Sequence, residues 1–372
     1  MMARDIGQAL RCHGVEVVDF DYYPGQNVPQ TLPRLLDWLS RSPDGGLLFD
    51  INGRVVTINL VARAMQERPD TFNCCTFMTD TPLHFNDRLR NWPADAIVGY
   101  VDRSFPELFD FMDYQRPDFI FHPHGGPPAA EDCLLTADRE IEILFVGNVA
   151  KVVPPAEHAA TLYGDNAKLI ALFCSSLEAI DPAKTPFQIA HQTASLTNVY
   201  YSRNNIALVA THLERYLSNV SRLRVLSSLN GFSVTVVGNI ADGTLRPKTN
   251  IQALGFQPFG ACVDLMRRAK ILLNIVPSFP NGGHERPFYA LSQGTAVMTT
   301  QSSFLEADQH THGFINFFDI ARGDIGHATT SLLAKLERGA MDRAAMLRDY
   351  EQRHTWQQRS EQILAHASKN FA

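Results

Sequence analysis

Short β-rich runs alternate with stretches of helical spacing along most of this chain, and that alternation is the strongest constraint on its fold. The first set of runs is VEVVDF (15–20), GLLFDI (46–51), FNCCTFM (72–78), AIVGYV (96–101) and DFIFH (118–122). Between them apolar residues recur at spacings of three and four, as at Leu32, Leu35, Leu36 and Leu39 and from Val55 through Met65. That is the period of a helix with one buried stripe. Parallel neighbours need a crossover, and crossover helices cover both sheet faces, so the pattern calls for a parallel sheet. HPHGGPPAAED (122–132) then breaks the rhythm with Pro and Gly and reads as a linker. A second set follows: IEILFVGN (141–148), FSVTVVGN (232–239), ALGF (253–256), KILLNIV (270–276), TAVMTT (295–300) and FINFF (314–318).

At 372 residues the chain exceeds what one core usually serves, so two α/β domains are expected. About 80 residues separate the first two strands of the second set, longer than a single crossover. Helical periods at 166–180 and 204–229 make this gap a helical insert. From Ile325 the chain is helical to its end, interrupted near His354, where Thr355 and Gln358 have the spacing of a capping box.

Composition excludes several classes. Apolar residues are 45% and charged residues 19%, which a disordered, collagenous or coiled-coil chain would not show. The balance of 33 Lys and Arg against 39 Asp and Glu, a net charge of −6, argues against non-specific nucleic-acid binding. No apolar run approaches the roughly 18 residues that span a bilayer, and MMARDIGQAL lacks an apolar leader segment. Cys12, Cys74, Cys75, Cys133, Cys174 and Cys262 form no CxxC pair, which reads as reduced thiols and a cytoplasmic location.

In doubly wound sheets ligands bind beyond the carboxyl ends of the strands. In the first domain those ends carry Asn52-Gly53, Asp80 through His84, Asp102-Arg103-Ser104, and His122 and His124 before Gly125-Gly126. Each is also ordinary turn chemistry. In the second domain they carry Gly147-Asn148 with Lys151 close behind, and Gly238-Asn239. Glycine there lets backbone approach a ligand, and the lysine offsets phosphate charge. No GxxxxGK[ST] and no full GxGxxG occurs, so neither a P-loop nor a dinucleotide site is supported.

The most informative segment is IVPSFPNGGHERPFYALSQGTAVMTT (275–300), a strand, a glycine loop, a helix expected to start near Pro287, a break at Gly294 and another strand. The Asn281-Gly282-Gly283 loop delivers a helix N-terminus, with its free N–H groups and positive dipole end, to the strand ends. A diphosphate suits that position, with Arg286 adding a bidentate contact and Glu285 accepting from ribose or sugar hydroxyls. The bland reading is a solvated loop with a structural Arg–Glu pair. Asp19-Phe20-Asp21 and the pairs His122/His124 and His310/His312 lack the context of a metal site, and no metal ligand is assigned. No Gly-x-Ser-x-Gly elbow marks a nucleophile.

The 275–300 segment resembles the donor-site signature of GT-B glycosyltransferases, above all the branch that includes the spore maturation protein CgeB. Members of that branch carry Arg-x-Phe-Glu-Ala-x-x-x-Gly before a buried strand. This chain reads Arg286-Pro287-Phe288-Tyr289-Ala290, then Gly294 and AVMTT. ILFVGN, VTVVGN, the closing HTWQQRSEQIL, and more loosely FMTDTPLHF and FHPHGG extend the resemblance over 140–372 and 45–126.

The resemblance implies two Rossmann-like domains facing across a cleft, with extra helices in the second and a helical C-terminus. It implies an acceptor domain at 1–126, a hinge linker at 127–132, a donor domain at 133–350 and a last helix at 351–372 packing back on the first domain. The implied activity is sugar transfer from a nucleotide-diphosphate donor, without a metal or other cofactor, to an acceptor glycan, protein or small molecule. A non-catalytic nucleotide-sugar or glycan binding protein is the alternative. Donor contacts are expected from Gly147, Asn148, Lys151, Gly238, Asn281, Gly282, Gly283, His284, Glu285, Arg286, Tyr289 and Glu306. Arg286 is the expected catalytic residue, with His84 or Asp80 as base if transfer inverts. Tyr289 replaces the family's Glu, which leaves a ribose-binding carboxylate to Glu285 or Glu306. The helical start ARDIGQALRCHG departs from the family's opening strand, so either the chain begins late or the first sheet is one strand short. Oligomerisation, if any, is expected through the insert at 155–230.

Overall fold

The computed structural model describes residues 2–20, 28–42, 46–55, 58–67, 72–85, 96–114, 118–245, 250–308 and 311–370. They form two compact units, Met1–His124 with Trp356–Ala372, and Gly125–Thr355. Among the described residues no helix is long and apolar enough to cross a membrane.

The first unit runs α1 (Met2–Cys12), α2 (Val28–Arg41), β1 (Gly46–Ile51), α3 (Asn59–Gln66), β2 (Phe72–Met78), a 3-10 turn (Pro82–Phe85), β3 (Ile97–Tyr100), α4 (Phe105–Met112) and β4 (Asp118–Phe121). The four strands are parallel and lie in the order β1-β2-β3-β4. Phe72, Cys74, Cys75, Phe77 and Met78 of β2 are all buried, because a central parallel strand is covered on both faces. Ile363 and Ala367 of the chain's last helix, Trp356–Asn370, supply part of that cover by packing with Cys75 and Ile97.

Residues 15–20, expected as a strand, pair with no strand among the described residues. Val15 and Val17 are half-buried while Glu16 and Val18 are exposed, so the alternation that suggests a strand is present. The Val17 carbonyl is taken instead by the Arg11 side chain at 3.2 Å, and the same guanidinium binds Asp19 at 2.6 Å.

The second unit continues with β5 (Ile141–Val146), α5 (Pro155–Tyr163), α6 (Ala167–Glu178), α7 (Pro186–Ser195), α8 (Arg203–Ser228), β6 (Val234–Val237), β7 (Ile251–Gly255), α9 (Phe259–Arg267), β8 (Ala269–Asn274), α10 (Glu285–Ser292), β9 (Ala296–Thr300), α11 (Ser303–Glu306), β10 (Ile315–Phe318), α12 (Ile325–Glu337) and α13 (Arg343–Arg353). Its six parallel strands lie in the order β10-β9-β8-β5-β6-β7. The chain builds outward from β5 in one direction to β7, then returns to the other side of β5 with β8. That reversal is a topological switch point between β5 and β8, where neighbouring crossovers leave on opposite faces and open a crevice at the strand ends. Leu144, Phe145, Val236, Leu272 and Val297 are at most 1% exposed, which explains the continuous apolar runs in the sequence.

The insert is four helices. Thr185 and Gln188 form a reciprocal capping box that starts α7, and the Ser202 side chain caps α8. At its far end α8 leaves the insert and joins the sheet core through Val225, Leu226 and Leu229. The Pro/Gly stretch after His124 is tied into the second unit. Gly126 donates to the His354 carbonyl at 2.9 Å, Ala130 to that of Ser292 at 2.8 Å, and the Tyr350 hydroxyl to that of Pro127 at 2.7 Å. A side chain at Gly126 would run into the Tyr350 hydroxyl and the Phe288 carbonyl.

Arg139 anchors the opposite end of this sheet. It is 2% exposed and donates to the carbonyls of Leu134, Ala269 and Gln293 and to the Thr295 hydroxyl. Burial pushes its pKa down to about 10, and the four acceptors offset the desolvation of its charge.

Candidate functional site

Three glycines floor the carboxyl ends of β5, β6 and β7. Gly147 N–H donates to the Val237 carbonyl and Gly238 N–H to that of Gly255, both at 2.8 Å. Gly238 has φ +131, and a Cβ there would lie 2.5 Å from the Gly147 oxygen. Only glycine fits, on grounds of both backbone angle and space. Beside it the Asn148 side chain accepts from Asn239 N–H at 2.9 Å, which fixes the loop after β5. Lys151, further along that loop, is exposed.

Across the switch point β8 ends at Asn274, and the chain runs through buried Gly282 and Gly283 into α10. A Cβ on Gly283 would press on the rings of Phe288 and Phe304. The helix begins at Glu285 after His284, which is two residues before the expected start at Pro287 and leaves Pro287 in the first turn, where its missing N–H is harmless. The His284 side chain does not cap the helix.

Arg286 is 8% exposed and ties the two sides together. Its Nη1 donates to the Val146 carbonyl at 2.6 Å, and its Nε lies 3.2 Å from His284 Nδ1. The same Nδ1 is 2.7 Å from a Glu285 carboxylate oxygen. One ring nitrogen cannot satisfy both contacts. Carrying a proton it donates to Glu285 and leaves Nε2, 3.4 Å from Arg286 Nη2, to accept from the guanidinium; without one it accepts from Arg286 Nε itself. Arg286 and Glu285 thus both meet His284.

The other expected donor residues divide. Asn281 is half-buried and accepts from the Ser303 hydroxyl at 2.9 Å. Glu306 is exposed at the end of α11. Tyr289 is fully buried, its ring edge-on to Phe259 at 5.0 Å. Expected as a donor contact, Tyr289 packs within the hydrophobic core of the second unit. A narrow recess behind the glycine loop is lined by Asn274, Gly282, His284, Thr299, Thr300 and Ser302. Asn274 is 2% exposed and donates to the Thr299 hydroxyl at 2.9 Å. Its Oδ1 has no partner among the described residues.

Arg222 is a residue that sequence reasoning missed. It lies on α8 and its Nη1 donates to the Asn148 carbonyl at 3.0 Å. No local pattern announces it, since the contact spans 74 residues.

Asp80 and His84 belong to the first unit. Asn52, in the left-handed region at φ 60, donates to the Thr79 hydroxyl at 2.9 Å and to the exposed Asp80 carboxylate at 3.3 Å, and accepts from Thr79 N–H at 2.8 Å. His84 is half-buried in the following 3-10 turn. Buried Asp50 accepts from the Thr76 hydroxyl and from Val55 N–H, each at 2.7 Å. Cys75 is pushed up to about 12, first by burial and then by the Asp50 charge.

His122 and His124 are buried against Phe77, with ring centroids 5.1 and 5.3 Å away. His122 Nε2 lies 3.0 Å from the Arg359 carbonyl, and burial pushes the ring down to about 4. His122 is a neutral core imidazole, and both rings lie where the last helix docks, with Trp356 against Phe77 and His124. His312 pairs with Asp349 at 2.6 Å. His310 and Asp21 lie outside the described residues, and among those described no three His, Cys, Asp or Glu side chains group as metal ligands.

A family model described as glycosyl transferase-like matches residues 220–365. No curated protein matches the chain. Sucrose-phosphate synthase from Thermosynechococcus elongatus is similar in structure, with TM-score 0.51, 11% identity and coverage of 99% of this chain and 92% of that one. A glycosyltransferase from Rickettsia africae superposes with TM-score 0.48 and 9% identity, covering 98% of this chain and 93% of its own. The Anabaena protein HepE in complex with UDP and glucose does so with TM-score 0.42 and 11% identity, covering 97% and 88%. Likeness at such identity speaks to fold. The chain has the α/β fold of the GT-B glycosyltransferases, and its residues 220–365 are glycosyl transferase-like.

Proposed function

We propose that the protein transfers a glycosyl group from a nucleotide-diphosphate sugar to an acceptor. The observation that carries this reading is the convergence of a glycine floor, the start of α10 and Arg286 on the switch point of the second sheet. When the bond between sugar and diphosphate breaks, negative charge grows on the leaving phosphate oxygens. A helix N-terminus and a fixed guanidinium stabilise that charge without reorganising, which is the largest source of catalysis in such sites. Those two groups do what a divalent cation does in metal-dependent transferases, so the reaction is proposed to need none. If transfer inverts, Asp80, oriented by Asn52, is the proposed base on the acceptor hydroxyl, with His84 beside it in sequence. Membership of the CgeB-like branch is proposed on Arg286-Pro287-Phe288 and Gly294.

A second reading, binding without transfer, is favoured by Tyr289. Its buried ring stands where the family has a carboxylate, leaving ribose recognition to Glu285. Ligand-observed NMR against UDP, GDP, ADP and dTDP sugars tests both. Binding followed by release of the nucleoside diphosphate supports transfer or donor hydrolysis. Binding with no turnover over the acceptors tried supports the second reading, and binding of none of the panel removes both.

A further inference from the structure

Two arginines at one sheet end behave unlike the arginine at the other. Arg139 spends its guanidinium on four acceptors. Arg222 makes one hydrogen bond, to the Asn148 carbonyl, pairs with no carboxylate among the described residues, and buries an Nε that has no partner among them. A guanidinium carries five N–H donors, and burying one of them unpaired is unfavourable.

The position is enforced. Val225 and Leu226, one helical turn further along α8, are 2% and 0% exposed in the sheet core, so residue 222 lies on the same side of the helix, toward the end of β5. Arg222 Nη1 grips the Asn148 carbonyl while Arg286 Nη1 grips that of Val146. Gly147 lies between them with no side chain, and a Cβ there would come 3.7 Å from Arg286 Nη1. Burial, and then the Arg286 charge, push Arg222 down to about 10. Two cations thus face the same bare stretch of backbone, an arrangement that favours an anion there.

We propose that Arg222, carried to the switch point by the helical insert, is a second diphosphate-binding residue that acts with Arg286 on the donor. This rests on the donor reading above. Two planar forks approaching from α8 and α10 can each take a different phosphate group of a diphosphate, whereas orthophosphate offers one. The insert then has a chemical role, because it fixes the helix that presents Arg222.

The test is calorimetric titration of the full chain at low salt with inorganic pyrophosphate, orthophosphate, and UDP, GDP, ADP and dTDP. Wild type, Arg222→Met, Arg222→Gln, Arg222→Lys and the control Arg224→Met are compared. Arg224 is on the same helix, but its Nη2 donates to the Ala321 carbonyl. Arg222→Met is expected to weaken pyrophosphate and the preferred nucleoside diphosphate by about tenfold to a hundredfold, the scale of a charged hydrogen bond. Arg222→Lys recovers part of this, and Arg224→Met changes neither. The ligand-free melting temperature of Arg222→Met should be unchanged or higher, because a like charge has gone. If Arg222→Met does not fold, Arg222→Gln carries the comparison. Equal nucleoside-diphosphate affinity in the wild type and in the folded neutral variant would overturn Arg222 and leave the donor reading standing. Pyrophosphate binding lost with Arg222, with no nucleoside diphosphate bound by the wild type, would support the anion seat and remove the nucleotide-sugar donor. A wild type that binds neither ligand would overturn both.

Discussion

The two sheets obey the same parallel rule, but only one reverses its strand order. In the first unit the described strands run β1 to β4 in sequence, and the polar residues at their ends bond to one another: Asp50 to Thr76, Asn52 to Thr79 and Asp80, Asp102 to Ser104. In the second unit the order turns back at β5 and β8, and there Arg222 Nε and Asn274 Oδ1 lack partners among the described residues. In the first unit His122 Nδ1, just beyond β4, also lacks a partner among the described residues, so what sets the second sheet apart is the crevice that a reversal opens at its strand ends.

The hardest blow to that contrast is predicted at Gly238. Gly238→Val must place a branched side chain at φ +131 against the Gly147 carbonyl, and a loss of about 3 kcal/mol or more is expected in chemical denaturation of the second unit. Gly164→Ala, at φ 57 with open space around it, should lose about 1 kcal/mol. Equal losses would mean that the glycine floor is not tightly packed.

The first unit is predicted to be the acid-sensitive one. His122 is neutral in the fold, with its pKa lowered from 6.5 to about 4. The unfolded chain binds a proton there at a higher pH than the folded one does, so stability is full above pH 6.5 and falls as pH drops toward 4. The expected loss is about 3 kcal/mol. His122→Phe should flatten that part of the profile, and an unchanged slope would assign the acid loss to other groups.

At the switch point, Arg286→Ala is expected to lower kcat more than it raises KM, by about 1.5–3 kcal/mol, or roughly tenfold to a few hundredfold. Arg286→Lys should recover part of this. Near-normal turnover would remove Arg286 from the chemistry and, with it, the functional half of the comparison. The smallest effect is predicted at Asn52. Asn52→Gly keeps the φ 60 backbone but loses the contacts to Thr79 and Asp80, for about 1 kcal/mol of stability by thermal melts. A much larger loss would show the first unit's strand ends to be more tightly coupled than their geometry suggests.

Legibility in the sequence followed burial. β2, β5 and β8 are buried on both faces, so their apolar runs stand out without any knowledge of partners. Residues 15–20 carry the same signal, but a period of two cannot say whether a neighbour will pair, and here Arg11 takes the carbonyl. The glycine loop and α10 were legible through Gly282, Gly283 and Pro287, which act locally. The start of α7 is also written locally, in Thr185-Pro186 followed by Gln188, yet that signal is drowned among the weak periods of the insert. The burial of Tyr289 was not legible, because a motif position does not say which face of its helix meets the core. Arg222 was out of reach, since its partner Asn148 precedes the whole insert.

The last helix completes the core of the first unit through Ile363 and Ala367 against Cys75 and Ile97. On a ribosome the second unit, Gly125–Thr355, is continuous and emerges whole, whereas the first waits for its closing segment until after residue 355. Vectorial synthesis usually lets N-terminal domains finish first; here the order of completion is inverted, and Cys75 and Ile97 of the N-terminal sheet wait through most of translation for the cover that Ile363 and Ala367 supply.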